Sequence, residues 1–245
     1  MEVLILAAGY ATRLYPLTLN RAKPLLKVGG RHIIDYIVDN VNKIDGLERI
    51  NVVCNNKFNG DFIHWAENSG SRTPIKILND KSEEDGGKLG AIGDIRLTID
   101  EFRIKNDLLV VGGDNLFDLD LADFVSFAKS KGTAICLYDV RDKELAAKYA
   151  AVTLDKERKI VRFEEKPANP ETTLISMCVY YYPGDILSMI TDYLDAGGNP
   201  DAPGFFNQWL YKKIELYGYV FKGKWFDIGD NESLQLADRA AGLFK

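Results

Sequence analysis

Histidine and cysteine are the scarce residues of this chain. Two histidines (His32, His64) and three scattered cysteines (Cys54, Cys136, Cys178) stand among 245 residues, with no CxxC pair. Zinc therefore lacks ligands at its usual spacing, and the odd, sparse cysteine set fits a reducing compartment. Positive charge is not in excess either. Lysine and arginine number 31 against 36 aspartates and glutamates, a net charge of −5, which argues against a nucleic-acid-binding face. Long apolar runs are missing too. The opening MEVLILAA has no basic flank, is too short for a leader and turns polar by Thr12 and Arg13, and no stretch approaches bilayer length. A soluble, cytoplasmic protein with no nucleic-acid or membrane partner is expected, as a monomer or a homo-oligomer. Two familiar phosphate loops are also absent. There is no GxxxxGK[ST], and Ala11 and Leu14 occupy the second and third glycine positions of a dinucleotide fingerprint.

What is present is enough apolar sequence, 46%, for a sizeable core. Residues 3–8, 50–54, 75–78, 107–111 and 133–138 read as buried strands, because their apolar runs are continuous rather than alternating. Between them, 33–44, 59–68, 89–102 and 121–131 carry apolar residues at helical spacing. Strands separated by such helices predict βαβ units and an α/β fold with a mainly parallel sheet. The pattern changes near residue 140. A hairpin over 151–154 and 160–163 follows, then a long strand at 174–182, helical patterns at 183–194 and 205–214, strands at 214–221 and 225–228, and a closing helix over 231–243. No linker separates the parts, so one domain with two halves, about 1–140 and 141–245, is expected.

The first strand runs into Leu6-Ala7-Ala8-Gly9-Tyr10-Ala11-Thr12-Arg13, and Lys23-Pro24-Leu25-Leu26 follows shortly after. Small residues directly after a buried strand let the backbone approach a ligand, and a row of amides there can cradle phosphate oxygens. Arg13 and Lys23 add cations suited to a triphosphate; an ordinary loop with two surface cations is the plain alternative. Asp114 ends the run LLVV at the carboxyl edge of the expected sheet, and Asp227 ends another short apolar run. Each alone would usually be a turn or helix cap, whereas two converging carboxylates suit a hard cation such as Mg²⁺. Asp118-Leu119-Asp120 matches a DxD, but Asp120 reads as the cap of the helix starting at Leu121.

The run LAAGYATRLYPLT…KPLL resembles the signature of the sugar-phosphate nucleotidyltransferases, with alanine at position 11 where that signature has glycine. GKLGA (87–91), GGDN (112–115), EKP (165–167) and WFDIG (225–229) follow in the order that family shows. The resemblance implies a three-layer, Rossmann-like nucleotidyltransferase fold with a mixed, mainly parallel sheet, its first half binding nucleotide and its second half the acceptor. It implies transfer of a nucleoside monophosphate from a nucleoside triphosphate to a sugar 1-phosphate, with Mg²⁺ on Asp114 and Asp227. Arg13, Lys23 and Lys166 become the catalytic cations. Leu6 to Thr12, with Asn79, Gly87, Leu89 and Gly90, become nucleotide-binding. Asn115, Ala150, Glu165, Lys166, Ser176, Cys178 and Trp225 become acceptor-binding. Relatives usually carry glycine where Ala150 and Cys178 stand, and asparagine is common at Ser176, so a smaller and less polar acceptor pocket is expected, with Met177 adding bulk. A non-sugar phosphorylated acceptor (a phospho-alcohol, a choline-like phosphate or a phosphonate) and a DxD glycosyltransferase remain open at this point.

Overall fold

The structure is a computed structural model and describes residues 1–244. In chain order the elements are β1 (Glu2–Leu6), β2 (Lys27–Val28), β3 (Arg31–His32), α1 (Ile33–Val41), β4 (Arg49–Cys54), α2 (Asn59–Asn68), β5 (Ile75–Asn79), α3 (Ala91–Phe102), β6 (Leu108–Gly112) and β7 (Asn115–Phe117). There follow α4 (Leu121–Lys131), β8 (Ala134–Asp139), α5 (Lys143–Ala146), β9 (Ala150–Leu154), β10 (Ile160–Glu165), β11 (Leu174–Tyr182), α6 (Ser188–Asp195), α7 (Pro203–Leu210), β12 (Tyr217–Phe221), β13 (Trp225–Asp227) and α8 (Asn231–Ala240). They form two compact units. One comprises 1–89, 111–122 and 223–245; the other comprises 90–110 and 123–222. The chain thus changes unit at 90, 111, 123 and 223. The closing segment returns to the first unit because β13 pairs there with β7.

In the first unit β1, β4 and β5 run parallel, with Val3 opposite Ile50 and Val52 opposite Ile77. Parallel neighbours need long crossovers, and α1 and α2 supply them. α1 begins at a capping box, the His32 N–H donating to Asp35 Oδ2 at 3.0 Å. It buries Ile33, Ile34, Ile37, Val38 and Val41, and each such side chain stabilises by about 1.5–3 kcal/mol. Trp65 of α2 donates from Nε1 to the other oxygen of Asp35 at 2.7 Å, tying the two crossovers together.

The second unit is built around β8. β11 lies antiparallel on one side (Ile175 opposite Tyr138) and β12 parallel on the other (Gly218 opposite Ile135). The β9–β10 hairpin, with Phe163 opposite Val152, joins β11 where Ile175 faces Ala151. The parallel character expected from sequence therefore belongs to the first unit, and mixed pairing to the second. No helix among the described residues is long and apolar enough to cross a membrane.

Candidate active site

The loop after β1 is held from below and left open above. Ala7 N–H donates to Val53 O at 2.9 Å, Asn55 Nδ2 to Ala8 O at 3.0 Å, and Gly113 N–H to Leu6 O at 2.9 Å. Tyr10 is buried and its hydroxyl donates to Ser82 O at 2.9 Å. Ala11 takes the left-handed conformation, φ 50° and ψ 44°, and its carbonyl accepts from Thr18 Oγ1 at 2.8 Å. An alanine there carries steric strain that a glycine would not. From Gly9 to Arg13 no backbone amide donates to another group among the described residues. Five consecutive amides left without partners are what a phosphate cradle requires.

Arg13 is exposed, its guanidinium beside Gly229 and close enough to Asp230 to lower that carboxyl, although the Ser233 backbone bond lowers it most. Lys23 follows the loop and meets Asp114, Nζ to Oδ2 at 2.6 Å, with 14% and 31% of the two side-chain surfaces exposed. Asp114 Oδ1 accepts from Asn115 Nδ2 at 2.9 Å, and Asn115 Oδ1 accepts from Trp225 Nε1 at 2.6 Å. Burial alone would raise the Asp114 carboxyl. The Lys23 ammonium outweighs it, with help from the backbone and Asn115, and holds it below the usual carboxylate range.

Asp227 belongs to the same cluster. It lies opposite Asn115 in the β7–β13 pair, and Ile228 N–H donates to Asp114 O at 3.1 Å. Two carboxylates on adjoining strand ends are hard oxygen donors. That set fits Mg²⁺, which keeps waters and takes phosphate oxygens for its remaining positions. Asn115 and Trp225, read from sequence as acceptor-binding, stand in a hydrogen-bonded line that ends on Asp114. β7 was not foreseen: three residues are too short to show a period. The DxD carboxylates are committed to the backbone, Asp118 Oδ1 to Lys224 N–H at 2.7 Å and Asp120 Oδ1 to Ala122 N–H at 2.8 Å.

Asn79 ends β5 with its amide already engaged, donating to Asn56 Oδ1 in the segment between β4 and α2 at 2.7 Å and accepting from Lys81 N–H in its own loop at 2.8 Å. Gly87 and Leu89 are exposed in the turn that follows. In the second unit Gly90 starts α3 at φ 78°, where a Cβ would come within 2.5 Å of Pro200 O. A cavity of about 580 Å³ opens between α1 and α2, and none of the sequence-predicted residues lines it.

The remaining predicted residues form one neighbourhood of the second unit. Ala150 is buried and lies opposite Glu165 across the hairpin. Lys166 is exposed, takes φ 46°, and donates its N–H to Tyr149 O at 3.1 Å. On β11, Ser176 Oγ donates to Met177 O at 3.2 Å, and burial pushes the Tyr180 hydroxyl well up, with smaller effects from Cys178, Ser176 and Glu165. Sequence reasoning missed Tyr180; its two-residue spacing from Cys178 was the available signal. Met177 differs from expectation. It is buried with its sulfur 3.7 Å from Cys136 Sγ, because neighbours on a strand point to opposite faces.

Solved structures resemble the whole chain. One is a Bacillus anthracis protein described as a glucose-1-phosphate thymidylyltransferase, in complex with a sucrose. It is 26% identical, with TM-score 0.81, and the match covers 98% of this chain and 95% of that one. A UDP-glucose pyrophosphorylase complexed with UDP-glucose is 20% identical with TM-score 0.82, covering 100% and 99%. Its apo counterpart is 20% identical with TM-score 0.81, covering 99% and 98%. The shared fold is the Rossmann-like α/β fold of nucleotidyltransferases. With a family model for nucleotidyl transferases matched over residues 2–241, the chain belongs to the nucleotidyl transferase family.

Proposed function

We propose that the protein transfers a nucleoside monophosphate from a nucleoside triphosphate to a sugar 1-phosphate, giving a nucleoside diphosphate sugar and pyrophosphate. The observation that carries this reading is the union, in one unit, of unpartnered amides from Gly9 to Arg13 with the Lys23–Asp114–Asn115–Trp225 line and Asp227. The whole-chain likeness to a protein described as a glucose-1-phosphate thymidylyltransferase supports a sugar 1-phosphate as acceptor.

An oxygen of the acceptor phosphate attacks the α-phosphorus. A new P–O bond forms as the bond from the α-phosphorus to the oxygen bridging the α- and β-phosphates breaks, and pyrophosphate departs with that oxygen. The nucleophile is already an anion near neutral pH, so no side chain need remove a proton. The obstacle is repulsion between two phosphorylated substrates, and fixed positive charge lowers it. Arg13 and the loop amides hold the triphosphate. Lys23 exchanges its partner Asp114 for phosphate oxygens and neutralises the departing pyrophosphate. Asp114 and Asp227 would hold Mg²⁺, which when bound would supply Lewis-acid charge neutralisation at the phosphates. Lys166 takes the acceptor phosphate and Glu165 its hydroxyls. Asn115 and Trp225 keep Asp114 aimed.

A matrix of the common nucleoside triphosphates against sugar 1-phosphates and non-sugar phosphorylated acceptors, read as pyrophosphate release, tests this. Turnover is expected with sugar 1-phosphates. Highest turnover with a phospho-alcohol, choline-like phosphate or phosphonate would move the acceptor class, and no pyrophosphate with any pair would end the reading.

A further inference from the structure

We propose that Gly204, in the first turn of α7, is a positioning residue: it leaves the space in which the Glu165 carboxylate lies and so aims that carboxylate at the acceptor. This rests on the reading that Glu165 takes acceptor hydroxyls. A Cβ built on Gly204 would stand 1.7 Å from Glu165 Oε2 and 2.4 Å from its carboxyl carbon. The carboxylate fills the volume of the side chain that Gly204 lacks. Nothing in the backbone asks for glycine, since Gly204 lies within an α-helix and has none of the positive φ values seen at other glycines. Alanine is the better helix former at such a position. The space itself is the physical reason for glycine.

One turn further along the same face, Gln208 Oε1 accepts from Glu165 N–H at 2.7 Å. One helix therefore grips both the main chain and the side chain of Glu165. From the other side, the next residue is fixed in a left-handed conformation, Lys166 at φ 46° with its N–H on Tyr149 O. Such strain at a non-glycine residue is characteristic of functional positions. The seated carboxylate is half-buried and accepts no hydrogen bond from any described residue, and burial pushes it above the usual range while Lys166 draws it back. Its oxygens are not sealed from solvent, so the hydroxyl groups of a polyol can reach them and donate. Ser176, Cys178 and Tyr180 lie in the same neighbourhood, so the seat opens among the residues assigned to the acceptor.

The test is steady-state kinetics with UTP or dTTP and glucose 1-phosphate, with calorimetry of triphosphate binding and thermal melting. Glu165→Gln reports on the underlying reading, because it keeps the shape and removes the charge. Gly204→Ala reports on the seat. Its methyl group must displace the carboxylate, and displacement of about 1 Å in a reacting site lowers rate by up to about 10²-fold. Gly204→Ala is expected to lower kcat/KM for glucose 1-phosphate about 10-fold or more, mainly through KM, with triphosphate affinity within about twofold. The melting temperature should be unchanged or higher. Adding Glu165→Asp, which withdraws the carboxylate by one methylene, should recover part of the loss in the Gly204→Ala background while impairing the wild type. If Glu165→Gln leaves kcat/KM unchanged, the reading of Glu165 fails and the seat with it. If Glu165→Gln is impaired but Gly204→Ala is not, the seat alone is refuted. Loss of triphosphate affinity in Gly204→Ala would show general distortion and refute it too.

Discussion

Lys23→Met keeps the aliphatic stem and deletes the ammonium that faces Asp114. At 2.6 Å, with most of both side chains covered, the gross attraction at an effective dielectric of about 20 is roughly 6 kcal/mol. Desolvation offsets most of it, leaving a net loss of about 2 kcal/mol when either partner is removed. For a chain of 245 residues that lowers Tm by about 4–8 °C. The pH dependence separates this from a generic packing defect. Burial acts to raise the Asp114 carboxyl, and Lys23 reverses the direction. In the wild type the carboxylate's stabilising contribution is therefore present above the unfolded carboxyl value of about 4 and is lost as pH falls through the depressed folded value. Without Lys23, burial is unopposed by that charge and the folded carboxyl moves up. The variant then loses stability as pH rises through it, so the Tm gap between wild type and Lys23→Met widens from about pH 4 to pH 7. Asp114→Asn combined with Lys23→Met should cost about 1–2 kcal/mol less than the two single changes added. Activity should not follow that recovery: all three variants should lose about 10²-fold or more in kcat. A pH-independent gap, or strict additivity, would refute the reasoning.

Excess EDTA should abolish turnover and Mg²⁺ should restore it, with Mn²⁺ as a substitute; full turnover in EDTA would exclude metal-assisted chemistry at Asp114 and Asp227. Arg13→Ala should impair pyrophosphate release with every acceptor, since its partner is the triphosphate. Lys166→Ala should raise the glucose 1-phosphate KM and lower kcat while leaving triphosphate affinity nearly unchanged by calorimetry, and a large loss of that affinity would reassign Lys166. Ala150→Gly with Cys178→Gly should raise kcat/KM for glucose 1-phosphate by enlarging the acceptor neighbourhood; no gain would place the restriction at Ser176 or at Tyr180, which lies beside it.

The parts of the fold legible in the sequence are those with long, strong periods. The continuous run of β1 and the helical spacing of α1 and α2 announced the parallel arrangement of the first unit. The hairpin was visible in its charged turn between two apolar runs. β7 was not legible, because three residues give no period and its partner β13 lies more than 100 residues away. That blind spot hid a contact of the candidate site, since the β7–β13 pair sets Asp227 opposite Asn115, which also accepts from Trp225. Gly204 was equally silent, because the space beside it is filled by a carboxylate that arrives from β10. Ala11 shows the reverse case: the sequence flagged an alanine at a glycine position, and the structure finds the left-handed conformation that explains why glycine suits it.

The most direct test of nucleotidyl transfer follows the phosphorus atoms. With triphosphate labelled at the α-phosphorus, one label per turnover should appear in the nucleoside diphosphate sugar. With triphosphate labelled at the γ-phosphorus, all released label should appear in pyrophosphate. Label from the γ-position in the sugar product, or release of the α-label as free nucleoside monophosphate with no sugar nucleotide formed, would contradict attack of the sugar phosphate on the α-phosphorus.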